Sequence, residues 1–228
     1  MNEKLMKLSL EEKESLSKNI IKEAYEKYKD KVGIAYSGGK DSTTLLHLVK
    51  EVFDGNIPWP VFWIDTGLDF EEILKFIETI QTEWNINIIS IRNVQLPTNF
   101  HPAINKVECC YLLKTIPINN TIEQYKLKAF MTGIRWDEQE TRTNEEFFSL
   151  RKQPEHFRVH PILHFREIDI WQYIKKYNIL YCELYKKGYR SIDCKPCTKP
   201  YMTGDSERGG RDPKKEEVMR RLREMGYF

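Results

Sequence analysis

The sequence predicts an α/β fold with a mostly parallel, doubly wound sheet and an irregular C-terminal tail. Three observations carry this reading. Short apolar runs alternate with helical patterns from Lys31 to Thr132, as strands alternate with crossover helices in a parallel sheet. A Gly-rich turn joins the first run to a helix, at the strand end where such sheets bind ligands. From about Glu183 onward the chain is instead rich in Lys, Arg, Gly and Pro, so it wraps a site rather than building a core.

Taken in order, Ser9 followed by Glu12 makes a capping-box pattern, and it opens a helix reaching about Lys29. Leu16, Ile20, Ala24 and Tyr25 are its expected buried face. Residues 31–36 (KVGIAY) read as a short buried strand, followed by the turn and a helix over 42–52. Residues 60–64 form a second strand ending at Asp65, 70–84 a helix, 86–91 a third strand and 128–132 a fourth. Residues 37–42, Asp65 and 133–135 all fall beyond carboxyl strand ends.

Composition excludes several functions. Lys plus Arg number 36 and Asp plus Glu 34, a net charge of +2, so no global basic field argues for nucleic acid and only a local basic face remains. Apolar residues at 40% and charged residues at 31% indicate a folded chain rather than a disordered one. Apolar runs such as 59–64 are far too short to span a bilayer. The opening MNEKLMKLSLEEKESL has no signal-peptide core, so a cytoplasmic protein with no membrane partner is expected. Five cysteines in a reducing compartment point to metal or catalysis rather than disulfides.

Ser37-Gly38-Gly39-Lys40-Asp41-Ser42 carries the first chemistry. Glycines let the backbone approach an anion, and the following helix offers unpaired N–H groups and a positive dipole end. Ser37 and Ser42 add hydroxyls and Lys40 a point charge. Asp41 either needs a cation between itself and phosphates or caps the helix. The bland alternative is an ordinary Gly-rich turn. The pattern is not a Walker-type loop. It resembles the SGGxDS pyrophosphate loop of the N-type ATP pyrophosphatases, which cleave ATP between the α and β phosphates and usually adenylate an acceptor oxygen.

Further segments narrow the resemblance. Ile64-Asp65-Thr66-Gly67-Leu68-Asp69-Phe70, Gly133-Ile134-Arg135-Trp136-Asp137-Glu138 with Arg142, and Arg158-Val159-His160-Pro161-Ile162 with Asp169-Ile170-Trp171 resemble segments of the phosphoadenosine-phosphosulfate reductase family. An arginine pair at the mouth of a parallel sheet suits a sulfate or phosphate oxyanion, which guanidinium binds bidentately. Alternatively Arg135 and Arg142 pair with Asp137, Glu138, Glu140 and Glu145. Asp65 suits a ribose hydroxyl, a base amino group or a metal, or equally a helix start.

Cys109-Cys110 and Cys194-Lys195-Pro196-Cys197 supply four thiols. Four thiolates suit tetrahedral zinc or an iron–sulfur cluster, and buried inert thiols are the remaining alternative. Adjacent cysteines resemble the CC…CxxC arrangement of adenosine-phosphosulfate reductases, and that resemblance implies a [4Fe-4S] cluster. Cys182 pairs with none of them and reads as structural.

The reductases carry a further cysteine in a C-terminal E-C-G-L-like tail that attacks the sulfate sulfur. Here the tail reads Arg223-Glu224-Met225-Gly226-Tyr227-Phe228, and methionine cannot form the thiosulfonate intermediate. Gly226-Tyr227-Phe228 and Ser206-Glu207-Arg208-Gly209-Gly210-Arg211 look instead like the catalytic subunit of a two-subunit sulfate adenylyltransferase, which lacks cluster cysteines. The ATP pyrophosphatases of DNA phosphorothioation systems resemble the reductases, carry the four cysteines and lack the nucleophile.

The resemblance implies an N-type ATP pyrophosphatase domain over 1–182, with 183–228 as a cluster-binding, site-covering tail of the same domain. The expected activity is adenylation of an oxyanion acceptor by ATP with Mg²⁺, most simply in DNA phosphorothioation. Lys40, Asp41 and Arg135 would be catalytic. Residues 37–42 and Asp65 would bind ATP, and Arg135 and Arg142 the acceptor. A cysteine desulfurase or other sulfur donor, DNA, and a second copy of the chain are the candidate partners. The competing expectations are a sulfate-assimilation enzyme and a non-catalytic iron–sulfur nucleotide sensor.

Overall fold

The computed structural model describes residues 1–204 and 206–225. After a one-turn helix α1 (Glu3–Met6), the capping box forms: Ser9 Oγ accepts from the Glu12 amide at 3.2 Å, and the Ser9 amide donates to the Glu12 carboxylate at 2.8 Å. It starts α2 (Leu10–Tyr28). Ile20 and Ala24 are buried as expected and Leu16 partly so, but Tyr25 is 41% exposed and Ile21 takes the core position. The buried face also includes Lys13, paired with Asp169, and Glu14, which accepts from Lys176 and Tyr177. Those buried ion pairs rotate the face away from the stripe that apolar spacing alone marks.

β1 (Val32–Tyr36), α3 (Lys40–Val52), β2 (Val61–Ile64), α4 (Glu71–Trp84) and β3 (Ile88–Ile91) follow in the expected order. The chain then runs through α5 (Lys106–Cys110), a π-turn over Tyr111–Thr115 and α6 (Ile116–Gln124), and returns as β4 (Ala129–Met131). A hairpin that the sequence reading leaves out, β5 (Phe148–Lys152) and β6 (Glu155–Val159), completes the sheet. The order is β3-β2-β1-β4-β6-β5, parallel except for β5, which pairs antiparallel at the edge. α7 (Glu167–Lys176), α8 (Pro213–Glu217) and α9 (Met219–Glu224) follow. Gly226-Tyr227-Phe228, which carries part of the tail resemblance, lies outside the described residues.

Alternate strand residues separate two layers. Val32, Ile34, Val61, Ala129 and Met131 pack with α2, α3, α4 and α7, whereas Phe62 and Phe130 meet Ile118 and Ile122 of α6. Each of these side chains larger than Ala129 contributes about 1.5–3 kcal/mol when withdrawn from water. Strand order reverses between β1 and β4, so the loops after β1, β2 and β4 gather at the switch point where open α/β sheets form a crevice. Among the described residues no helix is long and apolar enough to cross a membrane.

Three histidines are buried, and burial pushes His156, His160 and His164 down to about 4. Unfolded imidazoles take a proton near pH 6.5. Between those values the unfolded chain binds protons that the native state refuses, so stability falls as pH drops from about 6.5 to about 4. Asp69, Asp137 and Glu207, pushed up by burial, oppose this by smaller displacements. The urea midpoint should be lower at pH 5 than at pH 7. An equal or higher midpoint at pH 5 would mean that the histidines accept protons in place.

Candidate functional site

The loop after β1 folds tightly on itself. Gly38 takes φ +69°, and a side chain there would press on Ile73 of α4 at 3.2 Å. Ser42 Oγ accepts from the Ser37 amide at 3.2 Å and donates to the Gly39 carbonyl at 3.0 Å. α3 starts at Lys40, earlier than the sequence indicates, with Gly39 as its N-cap and no side-chain cap. Asp41 therefore lies within the first helical turn and does not cap it. The Lys40 amide donates to Tyr185 Oη at 2.8 Å, so a tail residue already holds one N–H of the helix start.

The loop after β4 comes against the same turn. A Cβ at Gly133 would sit 3.0 Å from the Asp41 carbonyl group, so only glycine permits this approach. It delivers Arg135, fully buried, to Asp41: Nε lies 2.7 Å from Asp41 Oδ1, as an ion pair without hydrogen-bond alignment. Arg135 also meets Asp137 Oδ1 at 3.2 Å and Glu207 Oε2. Lys40 is 1% exposed, and Nζ meets Asp41 Oδ2 at 3.1 Å, the Arg190 carbonyl at 3.2 Å and Glu207 Oε1. Lys40, Asp41, Arg135 and Glu207 thus close a ring of alternating charge. Burial alone would lower the Lys40 and Arg135 pKa values, but Asp41 and Glu207 outweigh it and hold both cations charged.

A cavity of about 240 Å³ opens beside this ring. Ser37, Gly39, Lys40, Asp41, Ser42 and Arg142 line it, as do Thr66, Asp69, Lys114, Asp193, Arg208 and Arg211. Gly38, Arg135 and Asp65 do not. Asp65 Oδ1 accepts from the Gly67 amide at 2.8 Å and Oδ2 faces Arg92 at 3.7 Å, so Asp65 shapes the turn and does not start α4, whose N-cap is Phe70. Asp69 takes the wall position instead and accepts from Thr66 Oγ1 at 2.9 Å. Arg142 pairs with Glu138, which also accepts from Arg208 at 2.7 Å. Burial pushes the Glu138 carboxyl up, but Arg142 and Arg208 outweigh that and hold it well below the usual range. Arg211 meets Asp193 at 2.8 Å, and Asp193 also holds Lys114 and Lys215.

Sequence reasoning missed Glu207, Asp69, Lys114 and Asp193 as site residues. The Thr66–Asp69 spacing, a hydroxyl and a carboxylate three residues apart at a strand end, was the available signal for Asp69. Nothing local marks Glu207, because both its cations lie far away in the chain.

Cys109, Cys110, Cys194 and Cys197 are all buried and line one small second cavity, with Lys106, Lys114 and Lys215 around them. Lys106 Nζ lies 3.5 Å from Cys197 Sγ, the Ala103 amide 3.4 Å from Cys109 Sγ, and Thr66 Oγ1 3.5 Å from Cys194 Sγ. Among the described residues no three or more His, Cys, Asp or Glu side chains are arranged to hold a single metal ion. Lys114 lines both cavities. Cys182 sits apart in the main core at 1% exposure, and burial pushes its thiol up. Met219 and Leu222 of α9 pack on Cys110, and Met225 ends that helix, its amide donating to the Arg221 and Leu222 carbonyls.

Residues 31–200 match the model of the phosphoadenosine phosphosulfate reductase domain. The chain belongs to that family. Among curated relatives, the adenosine 5'-phosphosulfate reductase of Halalkalibacterium halodurans is 31% identical over 211 residues, covering 89% of this chain and 88% of the relative. In fold, this family member is also similar to Candida glabrata FMN adenylyltransferase in complex with ATP (TM-score 0.67, 20% identity, 87% of this chain and 68% of that one). A U34-tRNA thiolase from Methanococcus maripaludis with its [4Fe-4S] cluster shares the fold more distantly (TM-score 0.53, 15% identity, 93% of this chain and 79% of that one).

Proposed function

We propose that this family member is an iron–sulfur ATP pyrophosphatase that adenylates an oxyanion acceptor for sulfur transfer, most simply a DNA phosphate in phosphorothioation. One observation carries the reading. Of five cysteines in the chain, four surround one small cavity and the fifth is sealed in the core, so none is left as an exposed thiol nucleophile. Attack by a tail cysteine on sulfur therefore has no donor, whereas the phosphate loop and its cavity are intact.

The donor set fits a cluster. Four thiols from α5 and the tail meet at one small cavity, the complete set of thiolates that a cluster or a zinc ion needs, and the CC…CxxC resemblance favours the cluster. Three lysines about it suit the negative charge of four thiolates on iron. When bound, the cluster supplies thiolate-held iron beside the nucleotide cavity.

In the proposed reaction ATP enters as its magnesium complex, with its β and γ phosphates on the loop. The start of α3 would offer them backbone N–H groups, with Ser37 and Ser42 beside them on the cavity wall. An acceptor oxygen bonds to the α phosphorus, the bond to the bridging oxygen breaks, and pyrophosphate leaves. Lys40 offsets charge that develops on the leaving group. Arg142 and Arg208, at the cavity wall, hold the acceptor oxyanion, and Arg135 keeps Asp41 in place from behind.

A second reading, sulfate assimilation as a reductase or as a sulfate adenylyltransferase subunit, is favoured by the Halalkalibacterium relative, which covers most of both chains and is named a reductase. Pyrophosphate release from ATP, measured with DNA or with sulfate as acceptor, separates the two. Stimulation by DNA that fades with added salt supports phosphorothioation, and stimulation by sulfate alone supports assimilation. Lys40→Ala and Asp41→Ala should each lower release at least about tenfold with the fold retained by circular dichroism. Unchanged turnover in both would reduce the loop to a binding element.

A further inference from the structure

Both cations behind the phosphate loop are already engaged by the protein. A lysine ammonium has three donors, and Lys40 Nζ meets three acceptors: Asp41, the Arg190 carbonyl and Glu207. Arg135 spreads over Asp41, Asp137 and Glu207. Glu207 is shared between the two, one carboxylate oxygen on each, and among the described residues it makes no other hydrogen bond or ion pair. A phosphate oxygen that docks on Lys40 needs a donor, so one of the three contacts has to break.

The contacts are not equivalent. Asp41 adjoins Lys40 in the chain and holds Arg135 as well, and the Arg190 acceptor is a neutral carbonyl that anion binding does not need to displace. Glu207 is the acceptor whose exchange for an incoming anion preserves charge balance around two buried cations. We infer that Glu207, brought in by the tail, competes with the polyphosphate end of a nucleotide for Lys40, the cation of the pair that lines the cavity, so the Glu207 contact on Lys40 and the ligand exclude one another. The inference rests on the phosphate-loop reading above and deepens it. It makes the tail carboxylate a selectivity element: a ligand has to bring more negative charge than a carboxylate to take its place. Its apparent affinity is reduced by the fraction of molecules in which Glu207 holds Lys40.

Calorimetric binding of inorganic pyrophosphate to the anaerobically purified full chain tests this without relying on turnover. Glu207→Gln should bind pyrophosphate about tenfold more tightly than the unaltered protein. The gain should vanish when Lys40→Ala is added, because the two residues act as a pair. Equal or weaker binding by Glu207→Gln overturns the competition and makes Glu207 a support for Lys40. Should that variant fail to fold, hydrogen exchange on the unaltered protein decides. The Gly209 and Arg211 amides, which donate to the Ser206 and Arg208 carbonyls, should exchange faster with pyrophosphate bound, and slower or unchanged exchange overturns the inference. No pyrophosphate or ATP binding by the unaltered protein would instead overturn the phosphate-loop reading, and the competition with it.

Discussion

Serine in place of any one of Cys109, Cys110, Cys194 or Cys197 is expected to bleach the anaerobically purified protein, while Cys182→Ser leaves its colour intact. The unaltered protein should hold about four irons per chain with a broad absorption near the blue edge of the visible range. The four thiols line one cavity from two distant parts of the chain, α5 and the tail, so losing one removes a quarter of the ligand set and unties the two segments. Because Met219 and Leu222 pack on Cys110, each cluster variant should also loosen α9, seen as faster amide exchange there. Cys182 contacts core side chains instead, so its serine variant changes stability rather than iron content. Stoichiometric zinc without iron in the unaltered protein would defeat the cluster assignment, as would loss of colour in Cys182→Ser alone.

The sheet's parallel core was legible because its strands are short apolar runs bounded by turn residues, and because Ser9, Glu12 and the Gly38–Gly39 turn announce their own geometry. The β5–β6 hairpin was not, since Arg151, Lys152, Glu155 and Arg158 hide the period-two alternation of an edge pair. Arg158 is buried over the Phe130 ring, a position its charge argues against. At the site, local motifs were legible and long-range charge pairing was not. Lys40 and Arg135 were marked as functional from their neighbours, but their burial depends on Glu207, far along the chain. That carboxylate turns two apparently exposed cations into a closed ring with Asp41. Asp65 and Asp69 illustrate the same limit at short range. Both are carboxylates in one strand-end turn, and only backbone geometry decides which reaches the cavity.

Sulfite release carries the largest expected contrast. With adenosine phosphosulfate or its 3′-phosphorylated form and a dithiol donor, the anaerobic holoprotein should release no sulfite above background. The reductive route needs a thiolate that reaches the sulfur, and the tail segment that resembles the reductases' carries Met225 where that resemblance implies the nucleophile. Cys182 cannot substitute: it is 1% exposed, its thiol is pushed up by burial, and it packs in the main core away from both cavities. In the proposed holoprotein the other four thiols are committed to iron. The same preparation given ATP and an acceptor should release pyrophosphate, so an inactive sample is distinguishable from an absent reaction. The decisive measurement is therefore sulfite and pyrophosphate release assayed side by side on one preparation. Pyrophosphate without sulfite is the expected result, and efficient sulfite release that survives Cys182→Ser would contradict it and return the protein to the reductases.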